Sequence, residues 1–159
     1  MASTTAEERF LALTQSSNPI TEAEVEAAFN QLKLIQPEDL IGEWDGGSLD
    51  TGHPGHQKLQ AMRWAGKSFR SVDDADPIIV YDEDGHRTWK KDWGHSSVRQ
   101  MVFRGVVSAA MIYDQMPIFD HFRYVSEDMV AGAMDAPKVM GPTGTYYFYL
   151  TRRKGTGPQ

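Results

Sequence analysis

The chain has 159 residues, with 22 acidic against 16 basic side chains, a formal net charge of −6 and no cysteine. That length suits one domain over residues 1–159 with a core of its own. A cysteine-free chain excludes disulfides, thiolate zinc sites, cysteine nucleophiles and c-type haem attachment, and an acidic chain with scattered basic residues is unsuited to neutralising phosphates, so no nucleic-acid partner is expected.

The opening MASTTAEERF has acidic residues and no long apolar run. Neither a cleaved signal nor a membrane span is expected, and the cytoplasm is the simplest location. Residues 1–36 read as a helical extension. A first helical piece runs from Ala6 to Leu13, and Ser16-Ser17-Asn18-Pro19 separates it from a second. Thr21 and Glu24 have the spacing of a capping box, after which Val25, Phe29 and Leu32 fall on one face. That face either covers a barrel or joins two copies of the chain into a homodimer.

Residues 40–152 read as strand-rich. Gly42-Glu43-Trp44-Asp45-Gly46 predicts a first strand whose glycines permit bending and close approach. Trp44 can plug one barrel end with its indole N–H on a carbonyl. Asp50 to His56 is a turn-rich connector. A short helix follows over Gln57 to Trp64, with Gly66 at its stop and Lys67 as a charge at the barrel mouth or at a solvated helix end. From Pro77 the pattern turns to period two. Strands are predicted over 77–81, 86–89, 98–104, 106–113, 117–125, 129–134 and 145–152, with Asp82 to Gly85 as a hairpin turn. Together with the Trp44 strand these make about eight, enough to close a lipocalin-like antiparallel barrel just wide enough for side chains or one small ligand. The fold class is therefore all-β, with a ring-lined hollow expected near Trp44 and Phe122 and a loose tail over 153–159.

These pieces resemble a family named for its GXWXG motif, together with the domain of unknown function that follows it. The resemblance spans about Leu40 to Arg152. It rests on the Gly42–Gly46 motif, Thr51-Gly52-His53-Pro54, Trp64-Ala65-Gly66-Lys67, Arg104 to Ser108, Met111 to Arg123, and Gly132-Ala133-Met134-Asp135. Ala65 stands where the pattern expects a bulkier aromatic, and Ala136-Pro137 replaces an expected Lys-Gly. The opening motif is also similar to that of lipocalins and nitrobindins, which implies a calycin-type barrel. It implies no haem, because no proximal histidine maps onto this chain.

The richest segment for chemistry is Tyr113 to Arg123. Strand alternation puts Asp120 and Phe122 on one face and Phe119, His121 and Arg123 on the other. If Asp120 points inward, a carboxylate in an apolar barrel suits general acid–base work. If His121 and Arg123 point inward, the interior holds a proton shuttle and an anion anchor. Alternatively, Asp114 and Asp120 cap the turn at Met116-Pro117 while His121 and Arg123 face solvent. Asp135 caps a turn or partners Arg104 or Arg123. The candidate catalytic groups are thus Asp120, His121, Arg104 and Asp114. The candidate ligand contacts are Trp44, His53, Trp64, Tyr113, Phe119, Phe122, Arg123, Met134, Asp135 and Tyr147. His53 and His56 flank a Pro-Gly that prevents both rings from aiming at one ion, so no metal is expected, nor any cofactor. No Gly-x-Ser-x-Gly elbow, Walker loop or dinucleotide fingerprint is present, which argues against hydrolase, kinase and dehydrogenase readings. The expected partner is one hydrophobic small molecule. The expected activity is a cofactor-free isomerisation, cyclisation or dehydration of a natural-product intermediate, with a non-catalytic carrier of a lipid, terpenoid or haem as the alternative.

Overall fold

The computed structural model describes residues 3–157. Two short helices come first, α1 (Ala6–Thr14) and α2 (Glu22–Phe29). Each starts with a capping box, Thr5 with Glu8 and Thr21 with Glu24, which satisfies two otherwise unpaired backbone N–H groups apiece. A 3₁₀ turn at Pro37–Leu40 then leads into β1 (Gly42–Ser48). Next come α3 (Pro54–Ala61), β2 (Trp64–Ser71), β3 (Asp74–Tyr81) and β4 (Arg87–Trp89). The second half is a meander of β5 (Ser96–Phe103), β6 (Val106–Tyr113), β7 (Phe119–Ser126) and β8 (Met129–Asp135), closed by α4 (Pro137–Met140) and β9 (Tyr146–Arg152).

All pairings are antiparallel and run β2-β1-β9-β8-β7-β6-β5-β3, and β2 pairs with β3 again. Eight strands therefore form a closed ring, with β4 hanging on β3 outside it. The expected barrel is present. One ring member differs from expectation: the predicted helix ends at Ala61, and Trp64–Ser71 is a strand. Gly66, which reads as a helix stop, is an extended residue at φ +152°, where a Cβ would meet the Trp44 carbonyl. Closure is uneven. At the β3–β5 junction the only registered pair is Ala75 with Ser96, reinforced by Ser96 Oγ on the Ala75 carbonyl at 3.2 Å.

Two apolar cores lie on opposite sides of the barrel wall. Inside are Trp44, Phe69, Ile78, Val98, Met111, Phe122, Tyr146 and Phe148. Phe122 meets Phe69 and Phe148 edge-on, with ring centroids 6.2 and 5.9 Å apart. The hollow expected near Trp44 and Phe122 is thus filled by packed rings, as an eight-stranded barrel of this width permits. Outside, Phe10, Val25, Phe29 and Leu32 pack on Val125, Ala131, Ala133 and Tyr147. The Val25/Phe29/Leu32 face is therefore occupied by the chain's own barrel wall and is not free to join two copies.

The Gly-x-Trp-x-Gly strand behaves as its composition suggests. Trp44 is 1% exposed, and its indole N–H donates to the Leu40 carbonyl at 2.8 Å. The Arg152 guanidinium covers its ring at 4.2 Å. A Cβ at Gly46 would come within 2.5 Å of the Trp64 ring, so only glycine lets the two meet. The tail corrects a second expectation: Thr156 Oγ1 donates to the Glu43 carbonyl at 3.2 Å, so the described part folds back on β1. Residues 158 and 159 lie outside the described residues.

Candidate functional site: a charged pair inside the barrel

Register fixes which side of the wall each candidate occupies. On β7, Asp120 pairs with Met111 and Met134, and His121 pairs with Ala110 and Ala133. Asp120 and Phe122 point inward. His121 and Arg123 point outward, yet they are not solvated, because α1, α2 and the β5–β6 hairpin cover them. Both faces of the strand are buried, so the choice between one interior face and one wet face does not arise.

Asp120 is wholly buried and sits 2.9 Å from Lys67 Nζ. Lys67 is 2% exposed, neither a mouth charge nor a helix end. Its ammonium also donates to the Pro77 carbonyl at 3.0 Å and to Tyr113 Oη at 3.3 Å. The rings of Phe148, Tyr113 and Trp64 surround it at 5.3, 5.5 and 5.8 Å, within cation–π range. Tyr113 donates its hydroxyl to Asp120 Oδ2 at 3.0 Å. Burial, and then the adjacent Asp120 carboxylate, push the Tyr113 phenol well above its usual range, so it stays a donor. Asp120 Oδ1 has no hydrogen-bond partner among the described residues. A buried carboxylate oxygen without a donor is costly, and in this place it is the free end of a charged pair in an aromatic cage.

A narrow apolar slot of about 10 Å³, lined by Gly55, Leu59, Trp93, Ile118, Met140 and Tyr146, lies one ring away. Trp93 meets Tyr113 edge-on at 6.4 Å, and Tyr146 stacks on Phe148 at 6.0 Å. The slot holds no more than about one water. Its lid is α3 and α4, and Met134 and Met140 are flexible fillers.

The outward candidates form a separate group. Phe103 and His121 stack at 3.9 Å, and His121 Nε2 lies 3.7 Å from Asp135 Oδ2. Asp135 thus partners His121, not Arg104 or Arg123. Burial lowers the His121 pKa even though Asp135 opposes the shift. Arg104 donates to Tyr147 Oη at 2.6 Å, to Asn30 at 2.9 Å and to Thr145 at 3.1 Å. Arg123 donates to the carbonyls of Phe29, Asn30, Leu32 and Phe103, so it fastens the end of α2 to the barrel and does not face a ligand. His53, Arg104, Met134 and Asp135 line one cleft of about 120 Å³ beside α4. His53 accepts from the Gly55 N–H at 2.9 Å and bonds Thr143 at 3.1 Å, capping α3. Asp114 is exposed in the β6–β7 turn, far from any role in a pocket of this kind, and Phe119 is half-buried on the outer face. The exposed turn group of Asp82, Asp84 and His86 is close enough for a shared ion, but Asp82 Oδ1 already accepts the Asp84 and His86 N–H groups.

Lys67 is the residue that sequence reasoning misplaced. Read as a strand, Trp64–Ser71 puts Ala65, Lys67 and Phe69 on one face, and a lysine between two core residues would have been conspicuous.

A closed eight-stranded antiparallel barrel with a charged pair in its aromatic interior is thereby defined. Residues 27–85 match the family model described as GXWXG protein, and residues 94–152 match that described as Domain of unknown function (DUF4334). The chain belongs to the GXWXG family and carries that second domain after it. It is similar to a protein from Thermomonospora curvata of known crystal structure. The two are 38% identical and superpose with a TM-score of 0.86 over 94% of this chain and 99% of that one. No curated protein matches the sequence. Among the described residues, no helix is long and apolar enough to cross a membrane.

Proposed function

We propose that the barrel, whose interior rings pack on one another at rest, opens to take one small, largely apolar molecule bearing a carbonyl or hydroxyl group, and that Lys67, Asp120 and Tyr113 move a proton on it. The observation that carries this reading is the partnerless Asp120 Oδ1, held inside a cage of rings. A ligand hydroxyl or enol would supply the missing donor, while Lys67 and Tyr113 polarise the oxygen beside it. The ring-lined interior would fold a flexible substrate before reaction. Such a centre suits a cofactor-free isomerisation, cyclisation or dehydration of a natural-product intermediate. The ligand enters through the slot under α3 and α4 as Met134 and Met140 swing aside. One observation favours a second reading, a carrier without chemistry: all three Lys67 N–H groups are already engaged by protein atoms.

The test is α-proton exchange of a cyclic enone, β-ionone, followed by NMR in D₂O with stoichiometric protein. Native mass spectrometry of the freshly purified protein runs beside it. Exchange faster than buffer that falls to buffer level in Asp120→Asn supports proton transfer. A retained small molecule without exchange supports the carrier. Neither a retained molecule nor exchange above that of Asp120→Asn overturns both.

A further inference from the structure

Where the chain passes from β1 to α3, three other groups come together. Ser48 ends β1, and its Oγ lies 2.6 Å from His56 Nδ1 on α3. The far nitrogen of that ring, His56 Nε2, lies 3.7 Å from Asp50 Oδ2. Ser48 Oγ is also hydrogen-bonded to the Tyr146 hydroxyl. Tyr146 is 1% exposed, and that burial pushes its phenol well up, so it stays protonated. With Tyr146 as the donor to Ser48 Oγ, the Ser48 proton is free for His56 Nδ1 and the imidazole proton sits on Nε2, toward Asp50; this is the proton arrangement that activates Ser48. A hydroxyl whose proton already points at an imidazole, with a carboxylate behind that imidazole, is the arrangement of an activated nucleophile.

Ser48 is half-buried and lies on the border of two clefts. One cleft of about 600 Å³ runs past Leu13, Ile20, Leu49 and Thr51. A second of about 390 Å³ runs past Leu59, Trp64 and Tyr81. The first is rich in hydroxyl and amide groups from the Ser16–Asn18 turn, and the second sets an apolar side of Leu59, Trp64 and Tyr81 against Gln60 and Arg63.

We propose that Ser48, His56 and Asp50 form a second reactive site, an esterase centre for carboxylic esters whose acyl chain lies along Leu59, Trp64 and Tyr81. Ser48 Oγ attacks the ester carbonyl carbon as its proton passes to His56 Nδ1. The carbon–oxygen bond to the alcohol breaks, and the alcohol leaves with that proton. Water then attacks the Ser48 acyl ester and gives its proton to His56. The carbon–Oγ bond breaks, Ser48 regains the proton and the acid departs. Asp50 holds the imidazolium of each half-reaction by charge across 3.7 Å. Tyr146, hydrogen-bonded to Oγ at rest, is the donor this step assigns to the oxyanion formed on the attacked carbon. No Gly-x-Ser-x-Gly elbow is needed, because the β1–α3 connection sets serine and histidine side by side.

The experiment uses the full chain with two probes, a biotinylated fluorophosphonate mapped by peptide mass spectrometry and p-nitrophenyl butyrate hydrolysis. Ser48 is expected to carry the fluorophosphonate. Ser48→Ala is expected to abolish that label, and Ser48→Ala and His56→Gln to lower kcat about a hundredfold or more. Tyr146→Phe should retain labelling while slowing turnover. Circular dichroism of each variant separates lost chemistry from lost fold. An unmodified Ser48 in the wild-type chain, or hydrolysis by folded Ser48→Ala at the wild-type rate, overturns the proposal. Trp64, Leu59 and Tyr146 border both places, but Ser48, His56 and Asp50 make no contact with Lys67 or Asp120, so neither result decides the Lys67–Asp120 centre.

Discussion

Lys67 and Asp120 join diametrically opposite strands: β2 and β7 lie four steps apart in either direction around the eight-strand ring. Their 2.9 Å contact crosses the full width of the barrel, so it reports on both walls at once.

Removing one partner should strand the other charge in an apolar interior. Lys67→Met or Asp120→Leu alone is expected to cost about 3–5 kcal/mol, measured from the urea midpoint. The double variant should cost less than either single change, because two apolar side chains replace the pair. A double variant as unstable as the sum of the two would mean that the two charges are not coupled.

Arg123 should be an anchor for the N-terminal helices, since it gathers three backbone carbonyls from the end of α2 and its exit, and a fourth from β5. Arg123→Gln leaves some of these carbonyls buried without donors, at about 1–3 kcal/mol. Limited trypsin digestion is expected to cut the variant at Arg9 or Lys33 before the barrel. Resistance equal to that of the wild type would show that apolar packing alone holds the helices.

His121 should make the fold acid-sensitive. Burial lowers its pKa from the usual 6.5, so below that pH the unfolded chain binds the proton more readily than the folded one. Stability is therefore full above about pH 6.5 and falls as pH drops from there toward the folded-state value. Thermal melts at pH 7.5, 6.5 and 5.5 should show a decline in Tm that His121→Gln flattens. Parallel curves for the two proteins would remove His121 from that role.

Two glycines with positive φ should respond differently to alanine. At Gly66 a Cβ meets the Trp44 backbone, so Gly66→Ala is expected to cost about 2–5 kcal/mol from strain and overpacking together. At Gly85, φ is +82° but nothing lies within 4 Å, so Gly85→Ala should cost only about 1–2 kcal/mol. Denaturant midpoints of both variants give the comparison.

The meander from β5 to β9 was readable because Val, Ile, Met and aromatic residues alternate there between good turn sequences. The expected count of eight strands matched the ring with one member exchanged. Arg87–Trp89, which was counted, hangs outside, and Trp64–Ser71, which was not, lies within. The missed strand has glycine, lysine, serine and arginine where a strand usually shows branched residues. Three are explained only by a partner distant in sequence, Gly66 by Trp44, Lys67 by Asp120 and Ser68 by Glu43, and Arg70 by Asp74 and Asp76 across the β2–β3 hairpin. Within the acidic stretch Asp73–Asp76, Asp76 accepts from Arg70 and bonds His95 at 2.7 Å. At the site, alternation sorted Asp120 from His121 correctly. It could not reveal that helices blanket the outer face, which is a property of tertiary packing.

The β3–β5 junction gives the wall a seam. A single registered pair, Ala75 with Ser96, fastens it, and the ties beside it are the Ser96 Oγ bond to Ala75, the Val98 N–H and the Arg99 guanidinium on the Val72 carbonyl, the Asp76–His95 contact and the surface link from Arg99 to Asp73. Unzipping there breaks few backbone bonds and leaves the rest of the stave ladder intact. Amide protons flanking the seam should trade with deuterium first. A wall stitched this way has its weakest line between β3 and β5, away from the pair that spans its width.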